Sequence, residues 1–275
     1  MDQGTVREFV RPSVEDPTAE WRPGDAWLAG GTFLFSTPLP ELRRLIDLTS
    51  LGWPSLVVGP EGLRIAATCR VVELYDFVPP SDWTAGPFLR EAVDSFLAGF
   101  KIWNTATVGG NICTSLPASP MTTMAAALDA TLELWGPGGA RRTMSVPDFI
   151  LSNHVNALQP GELLRSIDIP VDSLKRRYSY QRFTLTKHGR SSEFLVGTSD
   201  PSRGDLVLTI TAATSRPFVL RFASIPSAAE LRDAITATVS DPDYFDDPNG
   251  SPGHRKHMTY YLAELIRADL AGEAS

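Results

Sequence analysis

The sequence has few cysteines and a deficit of positive charge. Cys69 and Cys113 are the only two cysteines among 275 residues, too few for a disulfide framework or for the ligands of an iron–sulfur cluster. We expect both to be buried, reduced thiols, with a redox role for Cys113 as the alternative. The 25 Lys and Arg residues are outnumbered by 32 Asp and Glu, which gives a net charge of -7 without any basic stripe. Nucleic acid and anionic membranes are therefore disfavoured as partners.

Long apolar runs and several familiar motifs are also missing. No apolar run reaches transmembrane length, and the first residues have no apolar core like that of a signal peptide, which predicts a cytoplasmic protein without a membrane span. There is no Gly-x-Ser-x-Gly elbow, no phosphate-binding P-loop and no Gly-x-Gly-x-x-Gly fingerprint after a strand. The pair His254 and His257 has no cluster of carboxylates or cysteines around it, so we predict no metal site.

The residues that are present predict a globular protein of mixed helices and strands. Hydrophobic residues make up 43% and charged residues 21%, as in ordinary globular domains. Strands are expected at 26–29, 45–48, 131–135 and 166–170, with a hairpin turn at 59–62, a turn at 136–139 and a buried helix at 121–128. A change to basic and polar composition at 175–178 predicts a boundary that divides the chain into domains 1–172 and 173–275.

Periodicity identifies further elements. Apolar residues recur at helical spacing from Phe88 to Phe100, and residues 205–213 alternate as a half-buried antiparallel strand would. Ser227-Ala-Ala-Glu230 is a capping box for a helix through Val239. A last helix is predicted from about Lys256 to Leu270. Its apolar stripe is Met258, Tyr261, Leu262, Leu265 and Ile266.

Two diglycine segments are the most informative feature. They are Ala29-Gly30-Gly31-Thr32, after a predicted strand and with Thr32 as a possible helix cap, and Thr107-Val108-Gly109-Gly110-Asn111. Glycine reaches conformations that point successive N–H groups into one concavity, and such a nest of bare amides suits a pyrophosphate. We predict that the two nests grip one dinucleotide from two sides.

The order of eight short motifs resembles a known family. The motifs are Ala29-Gly-Gly-Thr32, Leu45-Ile-Asp-Leu48, Ile65-Ala-Ala-Thr68, Lys101-Ile-Trp-Asn-Thr-Ala-Thr-Val-Gly-Gly-Asn-Ile112, Ala126-Ala-Leu-Asp129, Asp148-Phe149, Pro160-Gly-Glu-Leu-Leu164 with Ile167-Asp-Ile-Pro170, and Gly250-Ser-Pro-Gly-His-Arg255. In this order and spacing they resemble the FAD-binding medium subunit of the molybdenum hydroxylases, the family of the xanthine dehydrogenase and carbon monoxide dehydrogenase flavoproteins.

The resemblance implies a fold class and a set of cofactor-binding residues. The fold is α+β: a two-subdomain FAD-binding domain of the PCMH (vanillyl-alcohol-oxidase-like) type, followed by a smaller C-terminal antiparallel α+β domain. FAD is held non-covalently, with no catalytic acid, base or nucleophile in this chain. The residues implied in FAD binding are Ala29, Gly30, Gly31, Thr32, Phe33, Leu34, Phe35, Leu97, Thr107, Val108, Gly109, Gly110, Asn111, Leu164 and Arg182.

The sequence departs from the family's pattern at several positions. Leu116, Pro117 and Pro120 follow the second diglycine segment, where the family has Ser-Pro and then an acidic residue. Ala66 stands where glycine is common, and Tyr180-Gln181-Arg182 replaces a Tyr-x-Lys motif. These changes leave the nests intact but put the flavin's orientation and the choice of electron acceptor in question.

The implied function is electron transfer. A large subunit holds molybdopterin, a small subunit holds 2Fe–2S clusters, and FAD in this chain passes electrons to NAD, a quinone, dioxygen or a carrier protein. The cysteine count agrees with this scheme, because a chain without cluster ligands needs a partner to supply them. The alternatives are a self-contained FAD-dependent oxidoreductase on the same fold and an assembly or scaffold protein that has lost the flavin.

Overall fold

The structure is a computed structural model that describes residues 4–187 and 189–273. Within these residues the chain forms three β-sheets, a short two-stranded hairpin and nine α-helices. A small parallel sheet and a larger antiparallel sheet lie in the first part of the chain. A second antiparallel sheet and two longer helices lie in the last part. None of the helices in the described ranges is long and apolar enough to cross a bilayer.

The parallel sheet comes first along the chain. Its strands lie in the order β1-β3-β2 and are β1 Glu8–Val10, β2 Asp25–Leu28 and β3 Arg44–Asp47. The strands predicted at 26–29 and 45–48 are confirmed to within one residue. Arg44 is buried in this sheet, and its guanidinium lies 2.7 Å from the Asp25 carboxylate, so the buried charge has a partner.

The second sheet is antiparallel, with five strands in the order β4-β5-β10-β6-β7. They are β4 Leu56–Gly59, β5 Gly62–Ala66, β6 Thr131–Gly136, β7 Ala140–Ser145 and β10 Leu163–Pro170. The hairpin turn predicted at 59–62 joins β4 to β5, and the turn predicted at 136–139 joins β6 to β7. Both predictions are confirmed.

Short helices connect and cover these strands. They are α1 Val71–Tyr75, α2 Phe88–Asp94, α3 Phe100–Trp103, α4 Val108–Thr114, α5 Pro120–Ala127 and α6 Val146–Phe149. The hairpin that follows consists of β8 Ile150–Ser152 and β9 Val155–Asn156. Every residue of α5 is buried, which confirms the predicted buried helix.

The helical stripe predicted over residues 88–100 is wrong beyond Asp94. α2 ends there, and the Ser95 hydroxyl donates to the carbonyl oxygen three residues earlier, at 2.6 Å. Leu97 is 53% exposed and Phe100 is 80% exposed. The end of the helix turns these two residues away from the core that their spacing predicts.

The last part of the chain forms an antiparallel sheet in the order β11-β12-β13-β14. Its strands are β11 Arg177–Phe183, β12 Glu193–Ser199, β13 Leu206–Thr211 and β14 Phe218–Phe222, and its helices are α7 Val171–Leu174, α8 Ala228–Thr238 and α9 Pro252–Ala271. The predicted capping box is confirmed, since Ser227 and Glu230 exchange hydrogen bonds at the start of α8. α9 covers one face of the sheet and α5 the other.

β13 is a strand as predicted, but it is not half-buried. All six of its residues are buried, because α5 covers the face that alternation assigns to solvent. Thr211 on that face donates to the Phe194 carbonyl oxygen at 2.8 Å and lies 2.6 Å from the Thr123 hydroxyl. The polar side chain is thus satisfied inside the protein.

The apolar stripe predicted for α9 is wrong in part. Tyr261 is 56% exposed and Leu265 is 37% exposed. Two arginines are buried instead: Arg255 at 1% exposure and Arg267 at 7%. Carboxylates neutralise both, with Asp247 against Arg255 and Glu264 and Glu273 against Arg267.

The two parts of the chain share a core. β10 ends at Pro170 and β11 begins at Arg177, so the boundary predicted after residue 172 falls in the segment between them. Phe194 and Val196 of β12 belong to the same apolar cluster as the antiparallel sheet of the first part. The domain boundary stays a prediction.

Candidate functional site

The first diglycine segment leaves the parallel sheet at the carboxyl end of β2. Gly30 lies against the chain at Thr105, where a Cβ on Gly30 would lie 2.1 Å from the carbonyl oxygen. Gly31 has a φ of +67°, in the left-handed region that favours glycine. The two glycines therefore let the loop turn sharply, directly beside the chain that enters the second diglycine segment.

The backbone amides of this loop are available. The N–H groups of residues 29–33 have no hydrogen-bond acceptor within the part of the chain that the structure describes. These residues are half-buried or exposed, so solvent or a ligand reaches them. Successive unpartnered N–H groups beside a left-handed glycine suit an anion such as a pyrophosphate. The prediction that Thr32 caps the following element is wrong. The element is a 3-10 turn, Leu34–Ser36, and its N-cap residue is Phe33.

The second diglycine segment is not a free turn but the first turn of α4. The Gly110 N–H donates to the Thr107 hydroxyl oxygen at 3.0 Å, and the Asn111 N–H donates to the Thr107 carbonyl oxygen at 2.9 Å. The N–H groups of Val108 and Gly109 donate to the carbonyl oxygens of residues 69 and 67, at 2.8 and 3.0 Å. The prediction that these amides are bare is wrong, because helix capping and the neighbouring loop supply an acceptor for each.

The glycines and the Asn111 side chain of this segment also contact neighbouring residues. A Cβ on Gly109 would lie 2.5 Å from the Cβ of Ala67, whereas a Cβ on Gly110 would meet only the Thr107 hydroxyl, at 2.8 Å. The Asn111 side-chain carbonyl accepts from the Ser119 hydroxyl at 2.6 Å and from a backbone N–H of α5 at 3.2 Å. The segment thus packs α4 against its neighbours, and even at Gly110 a Cβ would press on the hydroxyl that caps the helix.

A cavity of about 310 Å³ lies between the two segments. Ala29 and Gly30 form one side, and Thr105 and Thr107 form another. The rest of the wall combines the aromatic Trp53 and Gly52 with six polar residues: Thr49, Ser55, Thr68, Arg70, Glu73 and Asn104. Polar atoms of a ligand that reached the unpartnered amides would find hydrogen-bonding groups in this cavity.

A second cavity, of about 520 Å³, opens where the first and last parts of the chain meet. Its wall includes Leu97, Leu116, Pro117, His154, Arg190 and Ser191. Leu97 therefore lines a cavity rather than the core. Leu116 and Pro117, two of the departures from the family's pattern, lie in the same wall. Apolar side chains beside Arg190 and Ser191 suit a planar ring that has a polar edge.

Of the predicted cofactor residues, only Leu97 lines the larger cavity and only Ala29, Gly30 and Thr107 line the smaller one; Leu164 and Arg182 are among those that line neither. Leu164 is 3% exposed in β10 and is paired with Leu134 of β6. Arg182 of β11 donates from Nε to the Ser191 hydroxyl at 2.7 Å and from Nη2 to the Gly189 carbonyl oxygen at 3.0 Å. Arg182 therefore supports the wall of the larger cavity through Ser191.

A buried carboxyl group lies behind the same wall. Glu193 is 0% exposed, and neither of its carboxylate oxygens has a hydrogen-bond partner in the described residues. Burial raises its pKa to about 7, against the attraction of the Arg255 guanidinium. His254 Nε2 lies 3.9 Å from the Glu193 carboxylate and is also buried without a partner among the described residues. Ser191 and Arg255, which are close to this pair in the sequence, line the cavity, whereas Glu193 and His254 do not.

The environments of the two cysteines disfavour thiol reactivity. Burial raises the pKa of the Cys69 and Cys113 thiols to about 12, so the reactive thiolate is disfavoured at neutral pH. Cys69 is buried as predicted, whereas Cys113 is only partly buried, and it is the raised pKa of its thiol that disfavours a redox role. No group of three or more His, Cys, Asp or Glu side chains in residues 4–187 and 189–273 is arranged to hold a metal ion.

The geometry of a loop with unpartnered amides between two cavities agrees with a family match. Residues 19–172, more than half of the chain, match the family described as the FAD binding domain in molybdopterin dehydrogenase. The chain belongs to this family. The match confirms the resemblance drawn from the eight motifs, the oxidoreductase class and FAD as the cofactor.

Curated relatives of this FAD-binding family are similar over part of the chain. The carbon monoxide dehydrogenase medium chain of Afipia carboxidovorans is 32% identical over 161 residues, which are 56% of this chain and 54% of that one. The xanthine dehydrogenase of Oryza sativa subsp. japonica is 30% identical over 122 residues, 42% of this chain and 9% of that protein. The similarity thus spans about half of the medium chain and a small part of the xanthine dehydrogenase.

Solved structures extend the likeness to the whole fold. A chain of the Cu,Mo-CO dehydrogenase crystal structure has a TM-score of 0.82 at 22% identity, with all of both chains covered. A chain of quinoline 2-oxidoreductase from Pseudomonas putida 86 has a TM-score of 0.79 at 17% identity, with 99% of both covered. The fold class predicted from the sequence, a PCMH-type FAD-binding domain with a smaller C-terminal domain, is confirmed.

Sequence reasoning missed Asn153 and His154, which line the larger cavity from the tip of the β8–β9 hairpin. The signal that finds them is the polar Ser152-Asn-His154 turn between short apolar runs, which is typical of a hairpin. The placement of such a turn beside a cavity 40 residues away in sequence is a tertiary fact.

Proposed function

We propose that this chain is the FAD-binding electron-transfer subunit of a molybdenum-hydroxylase-type dehydrogenase. Its FAD receives electrons from 2Fe–2S clusters on a small subunit and passes them to an external acceptor, while a large subunit holds molybdopterin. The names of the carbon monoxide dehydrogenase and xanthine dehydrogenase relatives support this arrangement. The two free cysteines support it as well, since this chain cannot ligate a cluster by itself and its thiols suit the cytoplasm.

The observation that carries the proposal is the row of unpartnered amides at residues 29–33. A pyrophosphate needs several N–H donors that no protein acceptor already occupies, and this loop offers them at the carboxyl end of a parallel strand. Thr32 supplies a hydroxyl donor in the same loop. The residues present therefore fit the phosphate part of FAD.

The remaining predicted residues take supporting roles in this proposal. Thr107, Val108, Gly109 and Asn111 build the start of α4 beside the first loop, and the proposal assigns Gly110 to the side of the ligand. Leu97 lies in the wall of the larger cavity, which has room for a ring system. Arg182 is a positioning residue that acts through Ser191. Leu164 supports the sheet, and Leu34 and Phe35 complete the loop.

Bound FAD supplies the redox chemistry, and the chain supplies binding and orientation. The N–H groups of the first loop hold negative charge, and the apolar wall of the larger cavity excludes water from a bound ring. We assign no catalytic acid, base or nucleophile to this chain. The division into domains at residue 172 belongs to the same proposal, with the larger cavity at the junction.

Substitution of Gly110 tests the site. In Gly110→Val, the new side chain presses on the Thr107 hydroxyl and occupies the space that the proposed site assigns to the ligand, and we expect FAD affinity to fall about 100-fold, or about 3 kcal/mol. Isothermal titration of the apoprotein with FAD measures the change. Gly59→Val is the matched control, because its Cβ meets no atom within 4 Å on an exposed strand. Unchanged FAD affinity in Gly110→Val would contradict the assignment.

The purified chain distinguishes the proposed function from its two alternatives. One FAD per chain, identified after denaturation, excludes a scaffold that has lost the flavin. Bleaching of that flavin by candidate small substrates in the absence of partners would favour a self-contained oxidoreductase. We expect no bleaching until the 2Fe–2S and molybdopterin subunits are added, because the proposed electron donor lies on them.

A further inference from the structure

An aromatic contact joins the first diglycine loop to the wall of the larger cavity. The Phe33 ring stacks on the His154 imidazole, with 5.1 Å between ring centroids and 25° between ring planes. Phe33 belongs to the loop of unpartnered amides, and His154 lines the larger cavity. A ligand that occupies both the loop and the cavity therefore passes this pair of rings.

The two rings differ in how firmly they are held. His154 sits at the tip of the β8–β9 hairpin with a φ of +58°, its N–H donating to the Ser115 carbonyl oxygen at 2.9 Å. Its Nδ1 lies 3.0 Å from the Thr114 carbonyl oxygen, which can only accept, so Nδ1 carries the proton. Asn156 donates to the Cys113 carbonyl oxygen at 2.8 Å. The hairpin thus satisfies the last carbonyl groups of α4 and fixes the imidazole.

Phe33 has weaker support. Its side chain is 43% exposed, and its carbonyl oxygen accepts from the backbone and the hydroxyl of Ser36, at 2.9 and 2.7 Å. These bonds hold the backbone of the loop but leave the ring with His154 as its aromatic partner. Rotation of the Phe33 side chain would open the stack while the hairpin stays in place.

We propose that Phe33 and His154 form an aromatic clamp that closes over the dinucleotide between its phosphates and the larger cavity. The inference rests on the proposed function, since it concerns retention of the same FAD. In this clamp the His154 ring stays fixed and the Phe33 ring moves. Both are positioning residues: they slow release of the cofactor and take no part in electron transfer.

The experiment measures FAD dissociation from the full-length chain by the activity that released FAD restores to an excess of an FAD-dependent apo-oxidase, which serves as the trap. One stacked pair is worth about 1 kcal/mol, so Phe33→Ala and His154→Ala should each raise the dissociation rate constant about fivefold. The double variant should be no faster than either single variant, because both remove the same contact. His154→Phe should restore slow release, since it keeps an aromatic ring at the position.

Val155→Ala is the matched control, an exposed residue of the same hairpin that lacks a ring. Dissociation rates within about twofold of wild type in both alanine variants would overturn the clamp. Independent, multiplying effects in the double variant would overturn it as well, because they would show two separate contacts. If the wild-type chain bound no FAD at all, the proposed function would fail instead, so the two failures are distinguishable.

Discussion

The two diglycine segments have similar sequences and opposite surroundings. Residues 29–33 form a loop whose backbone N–H groups have no acceptor within the described residues, whereas the N–H groups of residues 108–111 each donate to a protein oxygen. Gly31 is used for its left-handed backbone, and Gly109 is used because a neighbouring chain leaves no room for a Cβ. A pair of glycines therefore indicates an unusual backbone, and only the neighbours decide whether it binds a ligand or packs a helix.

The neighbours differ because of what precedes each pair. Ala29 follows a parallel strand, whose carboxyl end leads the chain away from its hydrogen-bonding partners. Thr107 is a helix cap, and the chain at residues 67–69 lies beside it with carbonyl oxygens exposed to the amides of α4. The first pair is thus open to a ligand, and the second is part of a packed and capped helix.

Substitution of Gly109 should have the largest effect on stability. In Gly109→Ala the new Cβ would lie 2.5 Å from the Ala67 Cβ and 2.7 Å from its carbonyl oxygen, so the backbone must shift. We expect a loss of about 3 kcal/mol in the free energy of unfolding, the same with and without FAD. Urea unfolding of both forms measures it. A loss seen only in the FAD-bound form would break the comparison, because Gly109 would then belong to the ligand site.

Glu193 extends the comparison between satisfied and unsatisfied polar groups. Its carboxylate is buried and has no hydrogen-bond partner among the described residues. Its pKa, raised to about 7 by burial, exceeds the value near 4.3 expected in the unfolded chain. The unfolded state therefore loses its proton first as pH rises. The carboxyl should lower the free energy of unfolding by about 3 kcal/mol between pH 4 and pH 7, and the loss should level off above about pH 8, where Glu193 is ionised in both states.

Glu193→Gln should remove this pH-dependent loss. Chemical unfolding at pH 4.5 and pH 8 gives the difference between variant and wild type, which should favour the variant more strongly at pH 8. His254 and Arg255 face this carboxyl, and both remain in the variant. Glu41→Gln, at a side chain that is 94% exposed, is the control. An equal difference at the two pH values would show that Glu193 is ionised in the folded protein.

Local signals predicted the elements whose determinants are close in sequence. The turn at 59–62, the capping box at Ser227 and the buried helix α5 are all encoded within a few residues. The family motifs added the fold class, because their order reflects a shared topology. The first loop was predicted correctly as a place of bare amides for the same reason: a strand followed by two glycines is a local pattern.

The errors arise where distant chain segments decide the outcome. The second nest was predicted wrongly because the acceptors at residues 67 and 69 are not visible in the local sequence. Alternation in β13 could not show that α5 covers its second face. In α9, Arg255 is buried because partners such as Asp247 neutralise its charge. A search for a hydrophobic stripe along the sequence does not detect such an ion pair. The Phe33 and His154 contact is a tertiary fact of the same kind.

The smallest expected effect concerns the Thr107 cap of α4, and it distinguishes the contribution of this cap to stability from that of the glycines. Thr107→Ala removes the hydroxyl that accepts the Gly110 N–H, and we expect the free energy of unfolding to fall by about 1 kcal/mol. Thr107→Ser should retain stability, because serine offers the same acceptor. Thr105→Ala, whose hydroxyl donates to a carbonyl oxygen of α3, is a control that leaves this cap intact. If serine cost as much as alanine, the methyl group of Thr107 would matter rather than its hydroxyl. The second segment would then owe little of its stability to the side-chain cap, and the backbone N–H groups of Val108, Gly109 and Asn111 would hold it.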